Sequence, residues 1–462
     1  MMTFIRSAPF YLLLVLTLPE LAQALPAFNR QTGQNCVACH AGGQFPELTP
    51  YGRLFKLTGY TIGKRNEIPL SVMAVASDSK VRNTSKSEDP SQDFQKNGSL
   101  IFATASAFAA GKITDNLGAF LQVTYDNYAS QSDDGKFHGH TQADNMDIRY
   151  ADRFISSERD VIWGVTVNNN PSVQDPWNSA AAWMQYVPVP SPTSSRFIDG
   201  AAPYPGFASG GNIAGLSAYV FWNQWIYAEL GGYRSAKGIT SFMSAGVADA
   251  DKTKLQGTNP YWRVALSHGW GAHNLMIGTS GMRANVYDDP LDTSDPLSVH
   301  RYRDIGIDGQ YQYLLDPHAA TVQLAYIRDS HRYPSFLAGQ PVTDAEGNAL
   351  PDTNARDTTR VFRIKGSYVY DAKYGGGLSF FNQTGTRNSA FYDPTPVSGN
   401  VSTSPAIRGW TSEAFWTPVQ YLRIGLQYTV YTRYNGASHN YDGAGRNAGD
   451  NNSLFVYLWA AY

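Results

Sequence analysis

Segments of about ten residues in which apolar and polar side chains alternate run from Leu70 to Tyr462 of this 462-residue chain. In one of them, Ile305 and Ile307 alternate with Asp304 and Asp308. Successive side chains of a β-strand point to opposite faces, so the pattern predicts strands with one apolar and one polar face. The same alternation recurs in residues 117–126, 361–370 and 422–430.

We count about sixteen such segments, an even number that is typical of bacterial outer-membrane barrels. Their centres lie near residues 74, 105, 122, 150, 164, 217, 228, 264, 278, 308, 324, 364, 380, 411, 426 and 457. Short links alternate with long links rich in Asp, Asn, Gly and Pro, as expected for periplasmic turns and external loops. Few charged residues (16%) with many aromatic ones (13%) favour the same interpretation. We therefore predict an all-β fold, an antiparallel outer-membrane β-barrel of about 16 strands over residues 69–462; a soluble sandwich or propeller is the alternative.

The first 24 residues have the features of a signal peptide. Arg6 precedes an apolar run from Phe10 to Leu18, and Ala22-Gln23-Ala24 forms a cleavage site between small residues. We expect export, with the mature chain starting at Leu25. The net charge of −2 gives no basic surface for phosphates, so nucleic acid is not expected as a partner.

The most specific short motif is Cys36-Val37-Ala38-Cys39-His40, which contains both cysteines of the chain. This spacing allows two thiols to attach one haem c covalently while the adjacent imidazole binds its iron. The alternatives are a chance match or a reactive dithiol. We assign residues 25–68 to a small α-helical monohaem cytochrome c module with a helix from Pro50 to Thr58. Because roughly 45 residues cannot easily enclose a porphyrin alone, we expect the module to lie at the periplasmic side of the barrel or inside its lumen.

The second iron ligand is less clearly marked. Met73 is the first methionine after the motif and could complete His/Met ligation, or it could be an ordinary barrel-wall residue. Three histidines near predicted periplasmic turns are further candidates: His268, His273 and His318. Arg53 and Lys56 either neutralise haem propionates or form a solvated helix face.

Other features concern the long-loop regions and the lumen. His138, His140 and the acidic residues 288–295 could hold Fe(II) in external loops. The Pro-rich connection from Asn169 to Asn212 either folds into the channel or stays outside. Several charged residues are expected to solvate the lumen: Asp147, Arg149, Asp304, Asp308, Arg363, Lys365 and Arg423.

Residues 28–33, the motif at 36–40 and residues 45–60 resemble the N-terminus of the fused monohaem cytochrome-porins, and the order of parts is similar over the whole chain. The resemblance implies an outer-membrane protein in which a small cytochrome plugs a sixteen-stranded barrel, with Fe(II) oxidase activity at the cell surface. Its implied partners are extracellular Fe(II) or another reductant, a periplasmic c-type cytochrome or other electron carrier, outer-membrane lipid and the insertion machinery. Outward electron transfer to external acceptors and a porin with a haem plug or sensor remain open alternatives.

Overall fold

The computed structural model of the chain describes residues 26–43, 47–83, 98, 100–131, 137–179, 212–244, 253–295, 298–333, 354–389 and 400–462. The predicted signal peptide lies outside them. The helices are α1 (Pro26–Thr32), α2 (Cys36–Cys39), α3 (Pro50–Leu57) and α4 (Pro171–Gln174). Short 3₁₀ turns cover Ala41–Gly43, Gly238–Met243 and Ala448–Asn451. The strands are β1 (Leu70–Val81), β2 (Leu100–Lys112), β3 (Leu117–Gln131), β4 (Phe137–Ile155), β5 (Asp160–Asn168), β6 (Ile213–Trp222), β7 (Ile226–Ser235), β8 (Asn259–Trp270), β9 (His273–Tyr287), β10 (Val299–Leu315), β11 (His318–Arg332), β12 (Arg356–Tyr370), β13 (Tyr374–Gly385), β14 (Ile407–Val419), β15 (Leu422–Arg433) and β16 (Ser453–Ala461).

The sixteen strands form one closed antiparallel barrel in which each strand pairs with its neighbours in sequence. The barrel closes where β1 pairs with β16, with Met73 opposite Ala461 and Val81 opposite Ser453. Every predicted centre falls within an observed strand. The predicted barrel is confirmed, and closure of a single sheet excludes the sandwich and propeller alternatives.

The two faces of the wall have opposite chemistry. Ile305 and Ile307 are 42% and 54% exposed on the outer face, whereas Asp304 and Asp308 are only 3% and 2% exposed on the inner face. Leu426 is likewise outward and Gln427 inward. An apolar exterior around a polar interior is the architecture of outer-membrane barrels. Among the described residues, no helix is long and apolar enough to cross a bilayer.

The barrel has one end with short turns and one with longer loops. Seven links of two to four residues lie at the first end, which we call the short-turn end: 113–116, 156–159, 223–225, 271–272, 316–317, 371–373 and 420–421. Strand β1 begins and β16 finishes at this end, so the chain enters and leaves the barrel there. The opposite end is called the long-loop end.

Residues 26–43 and 47–68, which we call the N-terminal segment, lie inside the ring of strands. Their contacts are distributed around the whole barrel, on β1, β3, β4, β6, β10, β12 and β15. The contacting pairs are Ala27 with Ser71, Phe28 with Phe120, Tyr60 with Asp147, Leu57 with Tyr219, Arg53 with Gln312, Glu47 with Lys365, and Gly43 with Arg423.

The connection between β5 and β6 also folds inwards over its described part, residues 169–179. Trp177 is 1% exposed and packs edge-on against Tyr227 at a ring distance of 5.5 Å. The hydroxyl of Ser179 donates a hydrogen bond of 2.5 Å to Asp308 on β10. This part of the connection is therefore internal; residues 180–211 lie outside the described residues.

Candidate functional site

The CVACH motif forms a single helical turn, α2, at the start of the chain. The His40 N–H donates a hydrogen bond of 2.8 Å to the carbonyl of Cys36, which closes the turn. Neither Cys36 nor Cys39 is part of a disulfide. Residues i and i+3 of a helical turn lie on the same side, so the two sulfurs are presented together.

Helix α3 holds this turn in place through Thr49 and Gly52. Thr49 caps α3 by accepting a hydrogen bond of 3.1 Å from the Gly52 N–H, and its hydroxyl donates one of 2.5 Å to the carbonyl of Ala38. A Cβ atom on Gly52 would lie 2.1 Å from the carbonyl oxygen of Cys39, so only glycine permits this approach. Helix α3 begins at Pro50 as predicted and ends at Leu57, one residue earlier than predicted.

Cys36 lies in an apolar cluster formed largely by the barrel wall. The cluster contains Cys36, Met73, Val75, Ile101, Ala103, Phe108, Phe455, Tyr457 and Trp459. Its wall residues come from β1, β2 and β16, the strands at which the barrel closes. The thiol of Cys36 is 3.3 Å from the side-chain oxygen of Gln420 in the β14–β15 turn, at the short-turn end.

His40 is in an environment that favours neutral imidazole. Burial, with a smaller contribution from the positive charge of Arg423, lowers the pKa of His40 to about 3. The guanidinium of Arg423 donates a hydrogen bond of 2.9 Å to the carbonyl of Gly43. Burial also raises the pKa of Cys39 to about 11, with the neighbouring Cys36 as the second cause.

These residues fit a covalently attached haem. Two thiols three positions apart, a neutral imidazole next to the second of them and an apolar wall are the groups that c-type attachment requires. Met73 lies 8% exposed in the same cluster as Cys36, so its thioether is on the side of the wall that faces the motif. Haem attachment and the role of Met73 stay predictions.

Arg53 and Lys56 are buried against the wall, so the interpretation of a solvated helix face is wrong. They are only 6% and 7% exposed. Arg53 donates hydrogen bonds of 2.9 Å to Gln312 and 2.7 Å to the Leu48 carbonyl, and Lys56 donates one of 2.9 Å to the Asp175 carbonyl. Burial lowers the pKa of Lys56 to about 8, with the charge of Arg149 as the second cause. These contacts fasten α3 to the barrel and to the inward connection.

The three histidines near the short turns lie on the outer face, away from His40. His268 packs against the exposed rings of Trp225 and Trp270. His318 shares a hydrogen bond of 2.6 Å with the hydroxyl of Tyr368, which is 47% exposed. These positions belong to an aromatic belt at the membrane interface and not to a haem pocket.

Several of the charged residues that were expected only to solvate the lumen are buried and paired with an opposite charge. Arg149 is 0% exposed and lies 2.8 Å from Asp147. Arg263 is also 0% exposed and makes two hydrogen bonds to Asp308, of 2.8 and 2.7 Å. They connect the wall with the N-terminal segment and the inward connection.

The loop residues proposed as Fe(II) ligands are not assembled into a site. His138 is exposed on β4, and Asp292 accepts local hydrogen bonds from Ser294. Within the described ranges, no group of three or more His, Cys, Asp or Glu side chains is arranged so that it could hold a metal ion.

Sequence reasoning missed the inward face of β16 as part of the site. Phe455, Tyr457 and Trp459 point inwards with exposures of 2%, 6% and 8%. The sequence contains a signal for this, because β16 is apolar on both faces. A strand that borders a water-filled lumen would instead alternate between apolar and polar residues. A doubly apolar strand therefore indicates a packed neighbour inside the barrel.

The fold and the site define a class: a closed sixteen-stranded β-barrel of the outer-membrane type with a CxxCH turn held inside its wall. No protein-family model matches the chain, and no curated protein matches its sequence. Solved structures similar to it include a Salmonella typhi OmpF complex with daunomycin, with 11% identity, 85% of this chain and 97% of that one covered and a TM-score of 0.44. The channel DcaP of Acinetobacter baumannii has 10% identity, 85% and 96% coverage and a TM-score of 0.43. An anion-selective porin from Comamonas acidovorans has 10% identity, 85% and 98% coverage and a TM-score of 0.40.

Proposed function

We propose that this protein is an outer-membrane electron-transfer protein that carries one covalent haem c inside its barrel. It takes electrons from an extracellular donor, Fe(II), and delivers them to a periplasmic carrier such as a c-type cytochrome. The observation that carries the proposal is the placement of the CVACH turn against an apolar part of the inner wall. A segment too small to shield a porphyrin alone obtains its missing cover from β1, β2 and β16.

Each residue of the motif has a defined part. Cys36 and Cys39 would hold a haem through two thioether bonds, and His40 would ligate its iron. Met73 is the proposed second ligand. A bound haem would supply one-electron exchange, so that each Fe(II) oxidised to Fe(III) reduces the carrier by one electron. Apolar wall residues exclude water and thioether ligation raises the reduction potential, which suits an electron acceptor for iron.

The position of the motif supports electron delivery to the periplasm. In outer-membrane barrels the short turns face the periplasm and the longer loops face outwards. Cys36 contacts Gln420 in a short turn, and Val37 on the same helical turn is 41% exposed. A soluble carrier could therefore approach this end of the protein and accept the electron there.

Anaerobic stopped-flow mixing tests the proposal. The oxidised protein in detergent is mixed with Fe(II), and the absorption of the haem is followed. We expect reduction at a rate that increases with Fe(II) concentration. Dithionite serves as the positive control, and redox-inert Mn(II) at the same concentration serves as the negative one. Iron is excluded as the donor if dithionite reduces the haem but Fe(II) does not, at every pH at which Fe(II) stays dissolved.

A further inference from the structure

Four inward side chains on three adjacent strands form a second group of metal-ligating residues, close to the long-loop end. Asp304 on β10 stands directly opposite Asp329 on β11. His331 on β11 stands directly opposite Asp357 on β12. Side chains opposite each other in an antiparallel pair have Cβ atoms about 4.5–5.5 Å apart. We call these four residues the acidic–histidine cluster.

The cluster is buried and poor in positive charge. Asp304, Asp329 and Asp357 are 3%, 4% and 6% exposed, and His331 is 8% exposed. His331 contacts Asp329 through Nε2 and the Tyr333 hydroxyl through Nδ1 at 2.7 Å. Among the described residues, His331 is the only basic side chain that interacts with the three carboxylates.

Each of the three carboxylates also has one oxygen without a hydrogen-bond donor. The Oδ1 atoms of Asp304, Asp329 and Asp357 are buried and accept no hydrogen bond from the described residues. Buried carboxylate oxygens are costly unless they are paired or bind a metal. Like charges directly opposite each other across a sheet are destabilising as well. One imidazole cannot balance three carboxylates, so the cluster requires a proton or a cation between its oxygens.

We propose that the acidic–histidine cluster binds one divalent first-row cation, and that in the cell this cation is Fe(II). Carboxylate oxygens together with an imidazole nitrogen are the donors that suit such ions. As they stand, no three of the described His, Cys, Asp and Glu side chains are arranged so that they could hold a metal ion, so binding requires these four side chains to move. The cation would replace the contact between Asp329 and His331 and draw the facing carboxylates together.

Its place in the barrel makes the cluster a capture site and not the point at which the electron leaves iron. Gly42, two residues after His40, packs on Val369 of β12, whereas Asp357 lies twelve residues away on that strand. Twelve residues of tilted strand span about 30 Å along the barrel axis. The cluster would therefore concentrate Fe(II) at the outer entrance. This capture role rests on the proposed function, whereas the binding of a cation to the cluster does not.

Titration of the haem-loaded, full-length protein with Mn(II) tests cation binding, with free Mn(II) read by electron paramagnetic resonance. We expect one Mn(II) per chain in the wild type and an affinity at least about tenfold lower in the Asp304→Asn/Asp329→Asn variant. Asp144→Asn is the matched control, because Asp144 is an inward carboxylate on β4 outside the cluster. It should bind like the wild type. Heat-modifiable migration on gels verifies that every variant is folded.

The outcomes separate the two claims. The proposed cation site is wrong if the wild type binds no Mn(II), or if the double variant binds Mn(II) as tightly as the wild type. A proton shared between the carboxylates would then supply the positive charge. With Fe(II), the double variant should need a severalfold higher concentration for half-maximal haem reduction at an unchanged maximal rate. Mn(II) binding as predicted, together with haem that Fe(II) cannot reduce, would support the cation site and contradict the proposed donor.

Discussion

The ammonium of Lys365 on β12 lies 2.8 Å from a carboxylate oxygen of Glu47 in the N-terminal segment, and the Glu47 side chain is 1% exposed. Ser367 donates a hydrogen bond of 3.1 Å to the other oxygen of the same carboxylate. The contact joins the N-terminal segment to a strand that lies 318 residues later in the chain. The contact fixes the loop that follows the CVACH turn to the barrel wall.

Loss of Lys365 should loosen the N-terminal segment more than loss of the whole pair. Removing one partner of a buried ion pair typically costs about 3–5 kcal/mol, because the other charge stays buried, whereas removing both costs much less. We expect Lys365→Met to increase proteolysis of the segment and Lys365→Met/Glu47→Gln to restore much of the protection. Limited proteolysis of the folded protein in detergent measures this. Equal sensitivity of the single and double variants would show that the pair does not anchor the segment.

Gly52→Ala should displace the CVACH turn from α3. The added methyl group would lie 2.1 Å from the Cys39 carbonyl oxygen, and overpacking of this kind typically costs about 1–3 kcal/mol. We expect an altered absorption spectrum of the ferric haem, since His40 follows Cys39 directly. Gly366→Ala on β12 is the control, because nothing lies within 4 Å of its added atom. A spectrum identical to that of the wild type would mean that the helix contact does not set the position of His40.

Met73→Leu should lower the reduction potential of the haem. Leucine preserves most of the apolar volume in the cluster, and it removes the thioether that raises the potential. Met146→Leu is the control, because Met146 is 5% exposed in a separate cluster. Spectroelectrochemical titration measures both. The same potential in the wild type and in Met73→Leu would assign Met73 to wall packing.

Arg263→Ala should destabilise the barrel. Arg263 lies 2.7 Å from Asp308 and 3.2 Å from Asp175, and all three side chains are buried. Without it, two buried carboxylates lose their counter-charge, which we expect to cost about 3–5 kcal/mol. The temperature at which the folded gel band converts to the unfolded one should fall. Arg283→Ala on the outer face of β9 should leave it almost unchanged, and equal shifts in both variants would contradict this role.

The sequence was sufficient for the barrel because strand alternation is a local signal. Ile305 is apolar and Asp304 is polar wherever their strand lies in the sheet. The apolar and polar faces of each strand and the number of strands can therefore be predicted without tertiary information. The cap at Thr49 is equally local, since its hydroxyl accepts from the N–H of a residue three positions later.

The candidate site could be predicted only in part, because its walls depend on contacts between distant residues. Cys36, Cys39 and His40 are recognisable from their spacing. Glu47 and Lys365 are 318 residues apart, and Arg53 and Gln312 are 259 apart, so neither pairing is visible in the sequence. Asp304 and Asp329 face each other in only one register of β10 and β11, and a shift of one residue would separate them.

The central claim, one haem held covalently inside a membrane barrel, is tested most directly on a gel of outer-membrane fractions stained for haem. We predict one haem-stained band that migrates differently before and after heating, and that keeps its stain after denaturation because the haem is covalently bound. The Cys36→Ser/Cys39→Ser variant should show the same shift on heating without the stain. A heat-modifiable wild-type band that never stains for haem would contradict the account.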